Sequence, residues 1–167
     1  MKFTYRIIIT AFIFLLCSGG GHSEQTQTAD LVLVVKSVSR LYLIRAGEEF
    51  DSFKVSFGAD PKGHKQQQGD ERTPEGRYTL DYKNSNSSYY KSIHISYPNA
   101  KDRENARKRG LNPGGDIMIH GQRNGYEGFS TIAQLFNWTN GCIALKNREM
   151  DIVWQAVKVG TPIEIRP

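Results

Sequence analysis

Two short stretches carry the side chains best suited to covalent chemistry: Ile117-Met118-Ile119-His120-Gly121 and Trp138-Thr139-Asn140-Gly141-Cys142-Ile143-Ala144-Leu145. A thiol becomes a strong nucleophile as its thiolate, and a neighbouring imidazole is the usual means of producing it. His120 ends an apolar, strand-like run beside Gly121, where a ring can be held rigidly while it faces a cleft. Gly141, directly before Cys142, permits close backbone approach, and the amides around Thr139, Asn140 and Gly141 are candidates to hold the oxyanion of a tetrahedral intermediate. The chemistry these types allow is thiol-dependent acyl transfer. Neither residue is specific alone, since a single cysteine is commonly inert packing and a strand-end histidine commonly structural.

The cysteine count sharpens the question. The chain of 167 residues has two cysteines, Cys17 and Cys142. Residues 1–23 read as an export signal, with Lys2 and Arg6 before an apolar run from Ile7 to Cys17 and small residues from Ser18 to Ser23 for cleavage. That apolar run, 11 residues long, reaches only about half of a roughly 30 Å hydrocarbon layer, so membrane contact is expected only in transit. Lipid attachment at Cys17 is the competing reading, and bulky Leu16 directly before it argues against it. Removing the signal leaves Cys142 unpaired in an exported protein, which calls for a reason.

The remaining sequence must supply a scaffold. With 38% hydrophobic residues it can form one domain with a real core, and no repeat is visible. Losing residues 1–23 removes two basic residues and no acid, leaving 20 Lys and Arg against 17 Asp and Glu, a weak excess of +3. The cluster from Lys101 to Arg109 mixes signs at helical spacing, which reads as a solvated helix face rather than a surface for nucleic acid.

Residues 24–30 read as a short leader, and residues 31–167 as the domain. Leu31–Val35 and Arg40–Arg45 are β-rich runs joined through Lys36–Ser39, a predicted hairpin, and Phe50–Phe57 alternates as a half-buried strand does. Gly58–Arg72 is a long polar loop of the kind that borders a site, closed by Thr73-Pro74-Glu75-Gly76. Strand is predicted again over Arg77–Tyr82 and Ser92–Tyr97, with a polar turn at Asn84–Ser88 between them. Asn99 is placed to cap a helix over residues 100–109. Ile117–Ile119 delivers His120, Phe129–Phe136 is helix-like with Ile132, Leu135 and Phe136 on one side, Asn147 opens a further helix, and Thr161–Ile165 closes as a strand. The fold class is mainly β (α+β), with a few short helices.

The combination of His120-Gly121, 17 intervening residues, then Thr139-Asn140-Gly141-Cys142 resembles the signature of the YkuD-type L,D-transpeptidases. Thr73-Pro74-Glu75-Gly76-Arg77-Tyr78 also looks like a turn of that family, and the likeness runs from about residue 31 to 166. The resemblance implies a β-sandwich or barrel-like domain in the periplasm or cell envelope. It implies Cys142 as nucleophile, His120 as its base and later acid, and the Gly121 carbonyl as the group that orients the imidazole. The donor would be a peptidoglycan tetrapeptide stem and the acceptor an amine, from a second stem or a protein, through a thioester that carbapenems would also form. With water as acceptor the same site would be a carboxypeptidase or amidase, and with an inert thiol the fold would be a wall-binding module. No cofactor or metal is implied, and three histidines and one cysteine in the mature chain offer no zinc spacing.

One position departs from the family pattern: Ala144 stands where many members carry arginine, which puts substrate preference in question. Arg123 and Lys146 are candidates to compensate, and His94 to line the same cleft.

Overall fold

The computed structural model describes residues 27–167, so the expected signal over residues 1–23 lies outside the described residues. Ala29 and Asp30, placed in the leader by sequence, already join the fold: Ala29 is buried and its amide donates to the Ala156 carbonyl, while the Asp30 amide donates to that of Ile44.

Strand β1 (Leu31–Val35) runs through a 3-10 turn at Lys36–Val38 into β2 (Arg40–Arg45), with Ser39 left-handed at φ 52° to close the hairpin. Val32 and Val34 on β1 and Leu41 and Leu43 on β2 are fully buried, the alternation that a sheet with one covered face requires. Six more strands follow: β3 (Glu48–Lys54), β4 (Gly76–Ser87), β5 (Tyr90–Ile95), β6 (Met118–His120), β7 (Ile143–Ala144) and β8 (Thr161–Arg166). They form one sheet in the order β3-β2-β1-β8-β4-β5-β6-β7. Beyond β3 the chain bridges β7 at Ser56 and Ala144, so the two edges of the sheet meet and it curls into an incompletely closed barrel. The mainly β expectation holds, in the form of one curled sheet.

Helix α1 (Ala100–Lys108) is capped by Asn99, whose side chain accepts from the Asp102 amide while Asp102 accepts from the Asn99 amide. A short α2 (Ser130–Ala133) follows a 3-10 turn at Glu127–Phe129, and α3 (Asn147–Ala156) buries Met150 and Val153 against the sheet. The core lies between α3 and the inner face of the sheet, with Leu80, Ile93, Ile95, Ile119, Ile143 and Ile163 at its centre. No helix of the described residues is long and apolar enough to cross a membrane.

Three predicted elements differ. The strand over Phe50–Phe57 ends at Lys54, because Val55–Phe57 leave β2 and cross to β7. Asn84–Ser87, predicted as a turn, belong to β4: Asn84 pairs with Ser92 and Ser87 with Tyr90, and the hairpin turns over Ser88 and Tyr89. Their polarity reflects a cleft wall rather than a loop. The helix predicted over Phe129–Phe136 shrinks to α2, and Ile132, Leu135 and Phe136 stay largely exposed.

Candidate active site

Strand alternation places the two candidate side chains. On β6, Ile119 points into the core and His120 to the other face, where it pairs across to Ser92 on β5 and Ala144 on β7. Parallel pairing of β6 with β7 brings Cys142, one residue before β7, level with Met118, whose amide donates to Sγ at 3.4 Å.

His120 is 4% exposed, packed by Tyr89 at 4.7 Å and Trp138 at 5.8 Å between ring centroids. Its Nδ1 lies 2.6 Å from the Gly121 carbonyl oxygen. A carbonyl only accepts, so Nδ1 carries the proton and Nε2 keeps the lone pair of a base. Burial pushes the imidazole down to about 4, against the Gly121 carbonyl, which favours the charged ring. Gly121 itself has no room for a side chain: a Cβ there would sit 2.6 Å from Asn147 Oδ1 and 2.9 Å from Tyr90 Cβ. The carbonyl that orients the ring is therefore held in a tightly packed turn.

Burial also pushes the Cys142 thiol up; the Met118 amide and Lys65 oppose this, and Asp116 adds to it. At neutral pH the site thus rests as a neutral thiol beside a neutral imidazole.

Thr139 fixes the turn before the cysteine. Its hydroxyl donates to the Cys142 carbonyl at 2.7 Å and accepts the Gly141 amide at 3.2 Å. The Gly141 N–H, a candidate oxyanion donor by sequence, is held by the Thr139 hydroxyl in this fold. Gly141 is required for another reason: its φ is +122°, and a Cβ would lie 2.6 Å from the Arg72 carbonyl oxygen. The long loop presses on the turn before Cys142 there.

His120 and Cys142 line one cleft of about 510 Å³, together with Ser92, Asp116, Trp138 and Asn140. Asn84, Asn86, Ser87 and Tyr89 form its outer wall. His94 is not among the lining residues; its Nδ1 lies 2.6 Å from Asp81 and its ring stacks on Tyr82. Arg123 is also outside, exposed and set over the Tyr126 ring in a neighbouring pocket. Neither it nor Lys146 brings a charge to the cleft in place of the missing arginine. Ala144 is fully buried, its backbone paired with Ser56 and its carbonyl accepting from the buried Gln134 amide at 3.0 Å.

Sequence reasoning missed Tyr89, Ser92 and Asp116 as cleft residues and gave Trp138 no role. Ser92 could have been found only from the register of β5 on β6, and Asp116 only from the parallel pairing that sets its carbonyl oxygen 3.7 Å from Sγ. Among the described residues, no three His, Cys, Asp or Glu side chains converge to hold a metal.

Residues 29–165 match the family model of the L,D-transpeptidase catalytic domain, YkuD. A curated protein of Escherichia coli K12, "Putative L,D-transpeptidase YafK", is 32% identical over 119 residues, which cover 68% of this chain and 41% of that protein. The crystal structure of the helical cell shape determining protein Pgp2 from Campylobacter jejuni superimposes with a TM-score of 0.61 at 28% identity, over 81% of this chain and 46% of that one. L,D-transpeptidase 3 from Mycobacterium tuberculosis, bearing a faropenem-derived adduct, shares the fold at a TM-score of 0.56 and 15% identity, over 82% of this chain and 60% of that one. The chain thus spans less than half the length of both YafK and Pgp2.

Proposed function

Because the chain belongs to the YkuD family of L,D-transpeptidase catalytic domains, we propose that it is a cysteine acyltransferase acting on peptidoglycan tetrapeptide stems. The observation that carries this reading is that Cys142 and a neutral, Nδ1-protonated His120 line one polar cleft. Cys142 Sγ attacks the carbonyl of the L-centre of the stem's diamino acid while His120 Nε2 takes the thiol proton. The tetrahedral intermediate collapses as the C–N bond to the terminal D-Ala breaks, and His120 returns the proton to the departing amine. An acceptor amine then attacks the thioester, His120 takes its proton, and Sγ leaves as the thiol. Asn84, Asn86, Ser87 and Ser92 supply hydrogen-bonding partners for an extended, polar stem, and Tyr89 and Trp138 an apolar end. Similarity to proteins named as a putative L,D-transpeptidase and as a helical cell shape determining protein supports this reading, and the export signal expected at residues 1–23 suits work in the periplasm.

A second reading replaces the acceptor with water, making the protein an L,D-carboxypeptidase or an amidase that frees attached protein; the partial exposure of Cys142 favours it to that extent. Incubation of the protein with tetrapeptide muropeptides, followed by mass spectrometry, decides between them. The expected results are an acyl adduct on Cys142, release of D-Ala, and products heavier than the shortened donor. Shortened stems alone would establish hydrolysis. A Cys142 that takes no adduct and resists both a carbapenem and thiol reagents when folded would leave a wall-binding module.

A further inference from the structure

The ring of Tyr89 covers the candidate base, and the hairpin that carries it does not hold its own shape. Ser88 and Tyr89 are the two residues that join β4 to β5. Tyr90, the next residue, stands at φ +68°, the left-handed region where hairpins ordinarily place Gly or Asn. A tyrosine there is strained, and such a conformation persists only where its surroundings impose it.

The imposing group is Asn124, four residues beyond His120. Its Oδ1 accepts the Tyr90 amide at 2.8 Å, its Nδ2 donates to the Ser87 carbonyl at 3.0 Å, and its own amide donates to the Ser88 carbonyl at 3.0 Å. One exposed side chain thus bridges the last residue of β4 and the first of β5. A carboxamide suits this place because it offers an acceptor and donors at once. Gly121 adds a second tie, its amide donating to the Tyr89 carbonyl at 3.1 Å and the Lys91 carbonyl at 3.2 Å. The carbonyl of that same Gly121 receives His120 Nδ1, so the hairpin tip and the imidazole share one anchor. Asn124 itself lies outside the cleft lining, and any effect it has on the reaction passes through Tyr89 and Gly121.

Resting on the acyl-transfer reading above, we propose that Asn124 is a positioning residue for that reaction: it locks the tip of the β4–β5 hairpin so that the Tyr89 ring stays against His120, which keeps Nδ1 on the Gly121 carbonyl and Nε2 free for the thiol proton. With the tip released, water reaches the imidazole from the side that Tyr89 covers. The protonated ring is then solvated, and the base is lost at a higher pH. The other titratable side chains that line the cleft with His120 are Tyr89, Asp116 and Cys142, and replacing Asn124 alters none of them.

The test uses the full chain, its Asn124→Ala variant, and Asp151→Asn as a control. Asp151 also holds this hairpin, through the Tyr90 hydroxyl at 2.9 Å and the Lys91 ammonium, but ties it to α3 instead of to the segment after His120. Heteronuclear NMR of the histidine side chains follows the tautomer and titration of His120 with no substrate present, its signals being those lost in His120→Phe. Acylation of Cys142 by a carbapenem, read by intact-protein mass, gives the pH profile. Asn124→Ala is expected to raise the His120 midpoint and the acid limb from near 4 by about one to two pH units. Acylation should then slow about two- to tenfold at pH 5, with the deficit shrinking toward pH 8. Asn124→Asp keeps the oxygen that receives the Tyr90 amide and, in salt that screens its added charge, should recover part of the shift. Asp151→Asn should lower the unfolding temperature and move neither profile.

A His120 midpoint and tautomer unchanged in Asn124→Ala overturn the proposal, even where acylation slows, because the hairpin would then serve only as a cleft wall. An equal shift in Asp151→Asn overturns it too, by tracing the effect to general loosening. So does a wild-type midpoint near 6.5, which would mean that Tyr89 leaves the ring open to water. A wild type that takes no acyl group refutes the acyl-transfer reading, while the NMR titration still decides for or against Asn124.

Discussion

A histidine held at about 4 keeps a free Nε2 lone pair at neutral pH, and its burial also loads the fold with a pH-dependent cost. Its ordinary value is about 6.5 in the unfolded chain, so below that the unfolded state binds a proton that the folded state refuses. The cost is absent above about 6.5, grows as pH falls and is complete below about 4, on the order of 3 kcal/mol. Urea unfolding at pH 7 and pH 4 should therefore show a smaller loss for His120→Phe than for the wild type, by about that amount. The acid limb of kcat/KM should fall near pH 4, as Nε2 becomes protonated and can no longer accept the thiol's proton. An acid limb near 6.5 would mean that the imidazole is hydrated rather than packed under Tyr89 and Trp138. Gly141 makes a second prediction at this scale. Gly141→Ala places a methyl group against the Arg72 carbonyl at a φ that L-residues avoid, so we expect a loss of about 2–4 kcal/mol in stability and of most Cys142 reactivity. Chemical unfolding and thiol labelling measure the two.

Elements were legible where one face is dry and the other wet. Val32 and Val34, Leu41 and Leu43, and Ile163 and Ile165 alternate because their strands are covered on one side, and Asn99 with Asp102 marked α1 by capping chemistry. Legibility failed where polarity has another cause. Asn84–Ser87 are strand residues made polar by the cleft they wall, and no local signal separates that from a turn. The segment around α2 fails in the opposite way. Its apolar residues have helical spacing, which ordinarily means burial, yet Phe129, Ile132, Leu135 and Phe136 are each about 60% exposed. Spacing reports a shared face and says nothing of what covers it. Replacing Leu135 and Phe136 with serine should change stability by under about 0.5 kcal/mol each, whereas Ile119→Ala, from the same chain's core, should cost about 2–5 kcal/mol. Thermal unfolding of the three variants separates the classes, and a large loss at Leu135 or Phe136 would show that the face is covered in solution.

At the scale of the whole molecule, the long loop Gly58–Arg72 could serve as a moving lid or a fixed wall, and its anchoring decides for the wall. Lys36, buried under the first hairpin, donates to the Gly63 carbonyl at 2.7 Å and to Glu75 at 2.7 Å. His64 accepts the Glu75 amide at 2.9 Å and meets Asp102 at 3.1 Å, Arg72 pairs with Asp60, and Gln68 pairs with Asn112. The Lys36, His64 and Gln68 contacts tie the loop to the 3-10 turn after β1, to α1 and to the approach to β6, the Arg72–Asp60 pair closes the loop on itself, and its Arg72 carbonyl abuts Gly141. Asp102 is the junction: it caps α1, accepts from the Tyr78 hydroxyl at 3.0 Å and holds His64. Replacing it with alanine removes the reciprocal cap and the His64 contact and leaves the Tyr78 hydroxyl only the Glu75 carbonyl at 3.2 Å, at a cost of about 2 kcal/mol. Asp102→Asn keeps the size and one acceptor, so it should recover part of that stability. If the loop is a strut for the nucleophile, Asp102→Ala should also slow carbapenem acylation of Cys142 under conditions where the variant is still folded, although Asp102 does not line the cleft. Hydrogen exchange should then show residues 58–72 opening together with the amides around Gly141. Unchanged acylation, with exchange confined to α1, would separate the loop from the site and return it to the role of a lid.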